Sequence, residues 1–303
     1  MLMDDMFQLV GLTPHVRVRN GETGNAPIYA KLESCNPTGS IKDRACVSLI
    51  RDALARDGAD PGALRPGKVL LDASSGNMAC AVAYFGRILG YEARLFSSSK
   101  LTADKRSFIE YFGASLDITG TFTIEGNHAC REIAEREPER YCFLDQLHNW
   151  ANPRAHVETT GPEILEAHPD LAMLVGSLGS GGSLYGTASF LKQRRPDLRV
   201  VAVEAAPGTR LPGTGAFEDG DYVTPFIRKG YDDELFDLRV QVTYDEAVAA
   251  TIALRDQGIF TGFQTGGVYH SCLRAMKETS VEGDVVFLAG DSGWKNMEKL
   301  GVL

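Results

Sequence analysis

Along the chain, short apolar runs alternate with stretches whose apolar residues recur at helical spacing. The runs are "KVLLDAS" (68–74), "EARLFSS" (92–98), "SLDIT" (115–119), "YCFLDQ" (141–146), "LAMLVGS" (171–177), "RVVAVEAA" (199–206) and "DVVFLAG" (284–290). Each is too apolar to expose one face, so each predicts a strand buried on both sides. Helical periodicity predicts helices over 78–89, 100–112, 157–167, 184–194, 244–257 and 267–279. Strands with helical crossovers imply an α/β chain built on parallel sheets. Residues 207–233, rich in Gly and Asp, have no clear period and predict a long loop, a feature often tied to function.

An earlier helix opens in "GSIKDRACVSLIRDAL", where Cys46, Ile50, Ala53 and Leu54 share a face. The pattern predicts a start near Ser40, with Ser40 as N-cap and Asp43 at the third helical position. Lys42 then falls in the first turn, where unpaired amides oppose a positive charge. It reads either as a solvated lysine or as an amine poised to lose its proton, as a Schiff-base lysine must.

Two further loops stand at strand ends. "SLGSGGSLYG" (177–186) follows an apolar run and opens a helix. Its glycines Gly179, Gly181 and Gly182 let backbone amides approach an anion, with Ser180 and Ser183 as hydroxyl donors, so a phosphate cradle is expected. No Lys-Ser/Thr pair follows, so it is not a P-loop. Leu184 stands where a dinucleotide fingerprint needs its last glycine, which leaves only a weak nicotinamide reading with Glu204 as the ribose acid. "GDSGW" (290–294) has the form of a serine-protease nucleophile loop, but an α/β chain lacks the double barrel that chemistry uses. Its Ser292 instead predicts a hydroxyl facing a cleft at the carboxyl edge of a sheet.

Composition narrows the classes. A 303-residue chain that is 44% hydrophobic and 23% charged can bury a sizeable core. Net charge is −9, and the short basic stretch 191–199 is no nucleic-acid stripe. No apolar window is long enough to span a bilayer, and the acidic amino terminus is unlike a signal peptide, so a cytoplasmic protein without membrane or nucleic-acid partners is expected. Cys35, Cys46, Cys80, Cys130, Cys142 and Cys272 form no CxxC pair and predict reduced, mostly buried thiols. The six histidines show no ligand spacing, so no metal site is expected.

An amine for an aldehyde, a cradle for one phosphate and a polar partner for a ring nitrogen together suggest pyridoxal 5′-phosphate. The order of motifs from "VGLTPHVRV" (10–18) to "GDSGW" resembles the cysteine synthase family, fold-type II pyridoxal-phosphate enzymes of the β-replacement branch. "KLESCNPTGSIKDR" (31–44) is similar to that family's cofactor-lysine segment, which makes Lys42 the Schiff-base and catalytic residue. "SSGNM" resembles the substrate-carboxylate loop, placing Ser74, Ser75, Gly76 and Met78 at the substrate and Asn77 at the cofactor ring hydroxyl. "DQLHNWANPRAHVETTGPEI" (145–164) resembles the segment whose glutamine, here Gln146, helps hold the carboxylate, and "GIFTGFQTGG" (258–267) the stretch before a late helix. Gly179 to Ser183 match the phosphate loop, and Ser292 the serine facing the ring nitrogen.

The resemblance implies two domains, each a mostly parallel sheet flanked by helices. Residues 1–43 and 148–303 would bind the cofactor, and 44–147 would form a smaller mobile domain that closes on substrate. It implies a homodimer and a small amino-acid substrate. The reaction it implies is loss of the β-substituent of an activated L-serine, through an aminoacrylate, followed by addition of a second nucleophile. Sulfide would give cysteine, with a protein-borne thiocarboxylate on a sulfur carrier as another sulfur source. An amine would give a diaminopropionate precursor. A β-eliminating lyase or deaminase on the same fold, and a cofactor-binding regulator without turnover, are the competing readings.

The family's carboxylate loop usually reads T-S-G-N-T-G, whereas this chain has Met78 and Ala79 at its end. Met78 removes a hydroxyl whose bond to a carboxylate is typically worth about 1.5–3 kcal/mol. Another donor must compensate, or the substrate differs. Arg210, in "PGTRLPGTGAF" (207–217), lies where relatives close over substrate, and a guanidinium fork suits the phosphate of O-phosphoserine. O-acetylserine is the alternative donor.

Overall fold

The computed structural model describes residues 5–19, 26–74, 76–99 and 101–301. Strands β1 (His15–Val18) and β2 (Ile28–Leu32) precede helix α1 (Lys42–Ala55). The chain continues β3 (Val69–Ala73), α2 (Asn77–Ile88), β4 (Glu92–Ser97), α3 (Ala103–Tyr111), β5 (Ser115–Ile118), α4 (Thr123–Arg136) and β6 (Tyr141–Phe143). After α5 (Ala151–Ala155), a π-helical turn (His156–Thr160) and α6 (Gly161–Ala167) come β7 (Leu171–Ser177), α7 (Gly182–Lys192) and β8 (Arg199–Ala205). The last part holds α8 (Pro225–Asp232), β9 (Leu238–Val242), α9 (Tyr244–Arg255), α10 (Phe263–Glu278), β10 (Asp284–Ala289) and α11 (Met297–Leu300).

Two sheets result. One has strand order β1-β2-β10-β7-β8-β9, and the other β5-β4-β3-β6. Among the described strands, only the β1–β2 pair is antiparallel; β10 lies parallel between β2 and β7, with Phe287 opposite both Ala30 and Val175. The apolar runs explain the centre of each sheet: β7, β8 and β10 are buried along nearly their whole length. Helices cover both faces, as parallel sheets require. The smaller sheet's core joins Leu70, Leu95 and Cys142 to Met78, Val82 and Phe85 of α2. In the larger, α10 packs so closely on α9 that a Cβ on Gly266 would strike the Ala247 carbonyl, which accounts for the Gly-Gly pair at 266–267.

Three expectations change. Ser40 is not the cap of α1: the helix begins at Lys42 with Ile41 as N-cap, and Ser40 forms a bridge to Asp291. Asp43 does not close a capping box, because its carboxylate accepts from the Thr38 amide and hydroxyl instead. The segment 207–233 is not a loop throughout, since α8 occupies its end, capped by the Thr224 hydroxyl with Pro225 in the first turn. Among the cysteines, Cys35 is exposed and the other five are buried free thiols.

Around the start of α1 lies a buried ion network. Arg44 donates to Glu33 and Glu163, and Lys31 donates to Glu163 at 2.6 Å. Burial alone would raise the Glu33 carboxyl, but the Arg44 charge and its hydrogen bonds hold it below its usual range. The network pins the turn that ends β2 against α1 and so fixes the position of Lys42.

Candidate active site

The loops leaving the carboxyl ends of β3 and β7 meet the first turn of α1 at a cavity of about 320 Å³. Lys42, Ser74, Asn77, Met78, Gln146, Gly179, Ser180 and Arg210 all line it. A parallel sheet places such loops together because each strand ends at the same edge.

Lys42 is the first residue of α1, with its amine in this cavity and no hydrogen bond or ion pair to any described residue. Burial lowers its pKa from 10.5 to about 8, so an appreciable fraction is neutral near neutral pH. Of the two local readings of this lysine, its partial burial and lowered pKa favour the amine poised to lose its proton.

Beside it, the β3–α2 loop turns at Gly76, whose φ of 155° a side chain would rarely adopt. The Ser74 hydroxyl accepts from the Gly76 amide at 3.1 Å and so fixes the loop. Asn77 opens α2, and its Oδ1 is buried with no partner among the described residues. An orphaned amide oxygen is costly unless a ligand group satisfies it. Met78 is fully buried and offers no donor. Ser75 lies outside the described residues. Gln146 reaches the same wall, held by its Nε2 donating to the Ala73 carbonyl at 2.7 Å.

The β7–α7 loop forms the opposite wall. A Cβ on Gly179 would lie 2.5 Å from the Gly213 carbonyl oxygen, so only glycine fits there. Gly181 turns the chain at φ +81° and caps α7, while Gly182 starts the helix against Asn152. Gly181 and Gly182 contribute backbone rather than cavity wall. Ser180 is buried, its Oγ accepting from Asn152 Nδ2 at 3.2 Å, and Ser183 faces a small adjoining cavity shared with Lys42 and Gly179. The first turn of α7 thus offers unpaired amides at the cavity edge, a setting for an anion.

Two residues stand apart from the expectations. Ser292 is buried, but it does not line either cavity; its Oγ accepts from the Trp294 amide at 3.2 Å, and it sits behind Gly39. Glu204 bonds Arg239 and the Tyr231 hydroxyl, which removes it as a ribose-binding acid. Arg210 does line the cavity, over the Phe122 ring and 3.9 Å from Asp221.

Gln264 and Lys105 are among the lining residues that sequence reasoning missed. Gln264 donates to the Ser177 hydroxyl and to the Gly213 carbonyl, tying the loop after β8 to the end of β7. Its signal was the motif 258–267, read only as a helix lead-in. Lys105, near the start of α3, also lines the cavity, and burial together with the Lys295 charge lowers its pKa to about 8. Its local sequence "TADKR" reads as a solvated helix start and carries no signal.

The family described as pyridoxal-phosphate dependent enzyme matches residues 6–291. The chain is 34% identical to a cysteine synthase of Aquifex aeolicus over 307 residues, covering 96% of this chain and 90% of that one. Among solved structures, a hydrogen sulfide-producing enzyme from Fusobacterium nucleatum superposes with a TM-score of 0.87 at 28% identity, covering 97% of this chain and 99% of that chain. An O-ureido-L-serine synthase superposes with a TM-score of 0.86 at 26% identity, covering 99% and 95%.

Proposed function

We propose that this chain, which belongs to the pyridoxal-phosphate dependent enzymes and among them to the cysteine synthase family, replaces the β-substituent of an activated L-serine. The convergence of Lys42, the orphaned Asn77 oxygen and the Gly179 to Ser183 turn on one cavity carries this reading. These residues fit pyridoxal 5′-phosphate: an unpaired amine for its aldehyde, an unsatisfied amide for its ring substituent, and a helix start for its phosphate. When bound, the cofactor supplies an electron sink that makes the substrate's α-proton acidic.

The chain's own groups do the rest. Lys42 Nζ would hold the cofactor's aldehyde and would serve as the base for the substrate's Cα proton. Burial keeps that amine unprotonated often enough to act near neutral pH. Ser74, Gly76, Met78 and Gln146 would form the carboxylate wall. Ser292 lies behind Gly39 and off the cavity wall, so no contact with the ring nitrogen is assigned to it. Closure of 44–147 on the larger sheet would exclude water from the cavity.

For the donor we take O-phosphoserine, with phosphate as its leaving group, on Arg210. Its guanidinium lines the cavity, and its only ion pair among the described residues is the loose one to Asp221. Steady-state assays with sulfide as acceptor compare O-phosphoserine and O-acetylserine in wild type and Arg210→Ala. Loss of phosphoserine turnover with retained acetylserine turnover is expected; unchanged phosphoserine turnover overturns the donor assignment.

A further inference from the structure

Met78 leaves the carboxylate wall one donor short, and a lysine that the reaction above does not use stands beside the gap. Lys105 is 3% exposed and lines the same cavity as Lys42, Asn77 and Met78. Its side chain lies along the inner face of the β3–α2 loop: a Cβ on Gly76 would lie 2.5 Å from Lys105 Cδ and 3.2 Å from its Nζ. The ammonium has no hydrogen bond or ion pair with any described residue. The buried carboxylates nearby are already engaged. Asp291 accepts from the amide and hydroxyl of Thr265, and Asp43 from Thr38. Behind Lys105 stands Lys295, also buried and with its Nζ unpartnered. The charge of Asp291 reaches Lys105 without an ion pair, and two buried ammonium groups with no paired carboxylate favour an anion in the space they face, since an unpaired buried charge is costly.

We propose that Lys105 binds the α-carboxylate of the amino-acid substrate, supplying from α3 the donor that Met78 lacks in the β3–α2 loop. The inference rests on reading Ser74 to Met78 as the carboxylate loop. An ammonium suits this place because it is a compact charge on a stem that the glycine at 76 allows to lie flat against the loop. The carboxylate would then be held between the loop and α3, so substrate itself draws α3 toward the cavity. Selection for an amino acid over the corresponding amine follows from this contact, because the amine would leave Lys105 buried and unpaired.

The test uses calorimetric titration of the holoenzyme with two probes, L-serine and ethanolamine, which lacks only the carboxylate. Lys105→Met keeps the apolar stem and removes the charge, Lys105→Arg restores a cation, and Gln146→Ala reports on the loop reading. Lys105→Met should weaken L-serine by roughly tenfold to a hundredfold, the loss expected of one charge-assisted bond. It should leave ethanolamine within about twofold and the cofactor's visible band in place, and Lys105→Arg should recover most of the L-serine affinity. If Lys105→Met leaves L-serine binding unchanged while Gln146→Ala weakens it, the role of Lys105 is refuted and the loop reading stands. Equal weakening of both probes marks a structural role and also refutes it. If neither substitution affects L-serine, or wild type does not bind it, the carboxylate-loop reading falls and this inference with it.

Discussion

The burial of Lys42 has a consequence that can be followed by rebuilding the holoenzyme from its parts. An amine attacks an aldehyde only when unprotonated, so capture of the cofactor should track the neutral fraction of Lys42. Burial takes its pKa from 10.5 to about 8, which is ~3.4 kcal/mol in favour of the neutral form. At pH 7 about one apoenzyme in ten then carries a neutral amine, against about one in three thousand for a solvated lysine, a gain of roughly 300-fold. Apoenzyme mixed with limiting pyridoxal 5′-phosphate in a stopped-flow spectrometer would show this as growth of the visible cofactor band. The rate should rise about tenfold per pH unit below pH 8 and level off above it. The midpoint should be the same in Lys105→Met, because burial is the only cause of the Lys42 shift. A rate that keeps climbing through pH 10 would refute the burial argument.

Three other outcomes follow from the geometry. Gly179→Ala must move the Gly213 carbonyl, since the new Cβ would lie 2.5 Å from its oxygen; the expected result is at least about tenfold weaker binding of pyridoxal 5′-phosphate with little change for pyridoxal, read by fluorescence titration. Arg44→Met leaves Glu33 buried without its main partner and should cost about 3–5 kcal/mol in urea unfolding. His156 is buried and its pKa falls to about 3, below its unfolded value. Its contribution to stability is therefore complete above about pH 6.5 and is lost as pH falls toward 3, so His156→Gln should flatten the acid limb of the stability curve by up to ~1.4 kcal/mol per pH unit.

Much of the architecture was legible because it rests on strands buried on both faces. The runs at 171–177, 199–206 and 284–290 have no polar alternation to confuse them, and they became β7, β8 and β10. Edge strands were harder: β1 "HVRV" and β9 "LRVQV" carry charged and polar residues on a half-exposed ladder and are too short to establish a period. Helix α8 was hidden because its phenylalanine and isoleucine sit inside a segment otherwise rich in Gly and Asp. The Ser40 cap failed for a different reason. A serine three residues before an aspartate satisfies the local rule, but Thr38 competes for the same carboxylate from a turn only the folded chain forms.

The site divides in the same way. Lys42 and the Gly179 to Ser183 turn were readable because a helix start and a glycine-rich turn leave local signatures, whereas Asn77 was reached only through the resemblance of its motif. Lys105 left none. Its burial depends on α3 lying against the β3–α2 loop and on Lys295 arriving from the far end of the chain, contacts between segments almost two hundred residues apart. Ser292 was found by motif, yet the structure sets it behind Gly39 rather than on the cavity wall.

Lys42 and Lys105 share one cavity, and burial brings both to a pKa of about 8, so the identity of the cofactor-bearing lysine is the sharpest test of the whole account. Borohydride reduction of the holoenzyme, followed by proteolysis and mass spectrometry, fixes the cofactor to the residue that holds it. The account predicts a pyridoxyl-phosphate adduct on the peptide containing Lys42 and none on the peptide containing Lys105. An adduct on Lys105, or on any lysine other than Lys42, would contradict it.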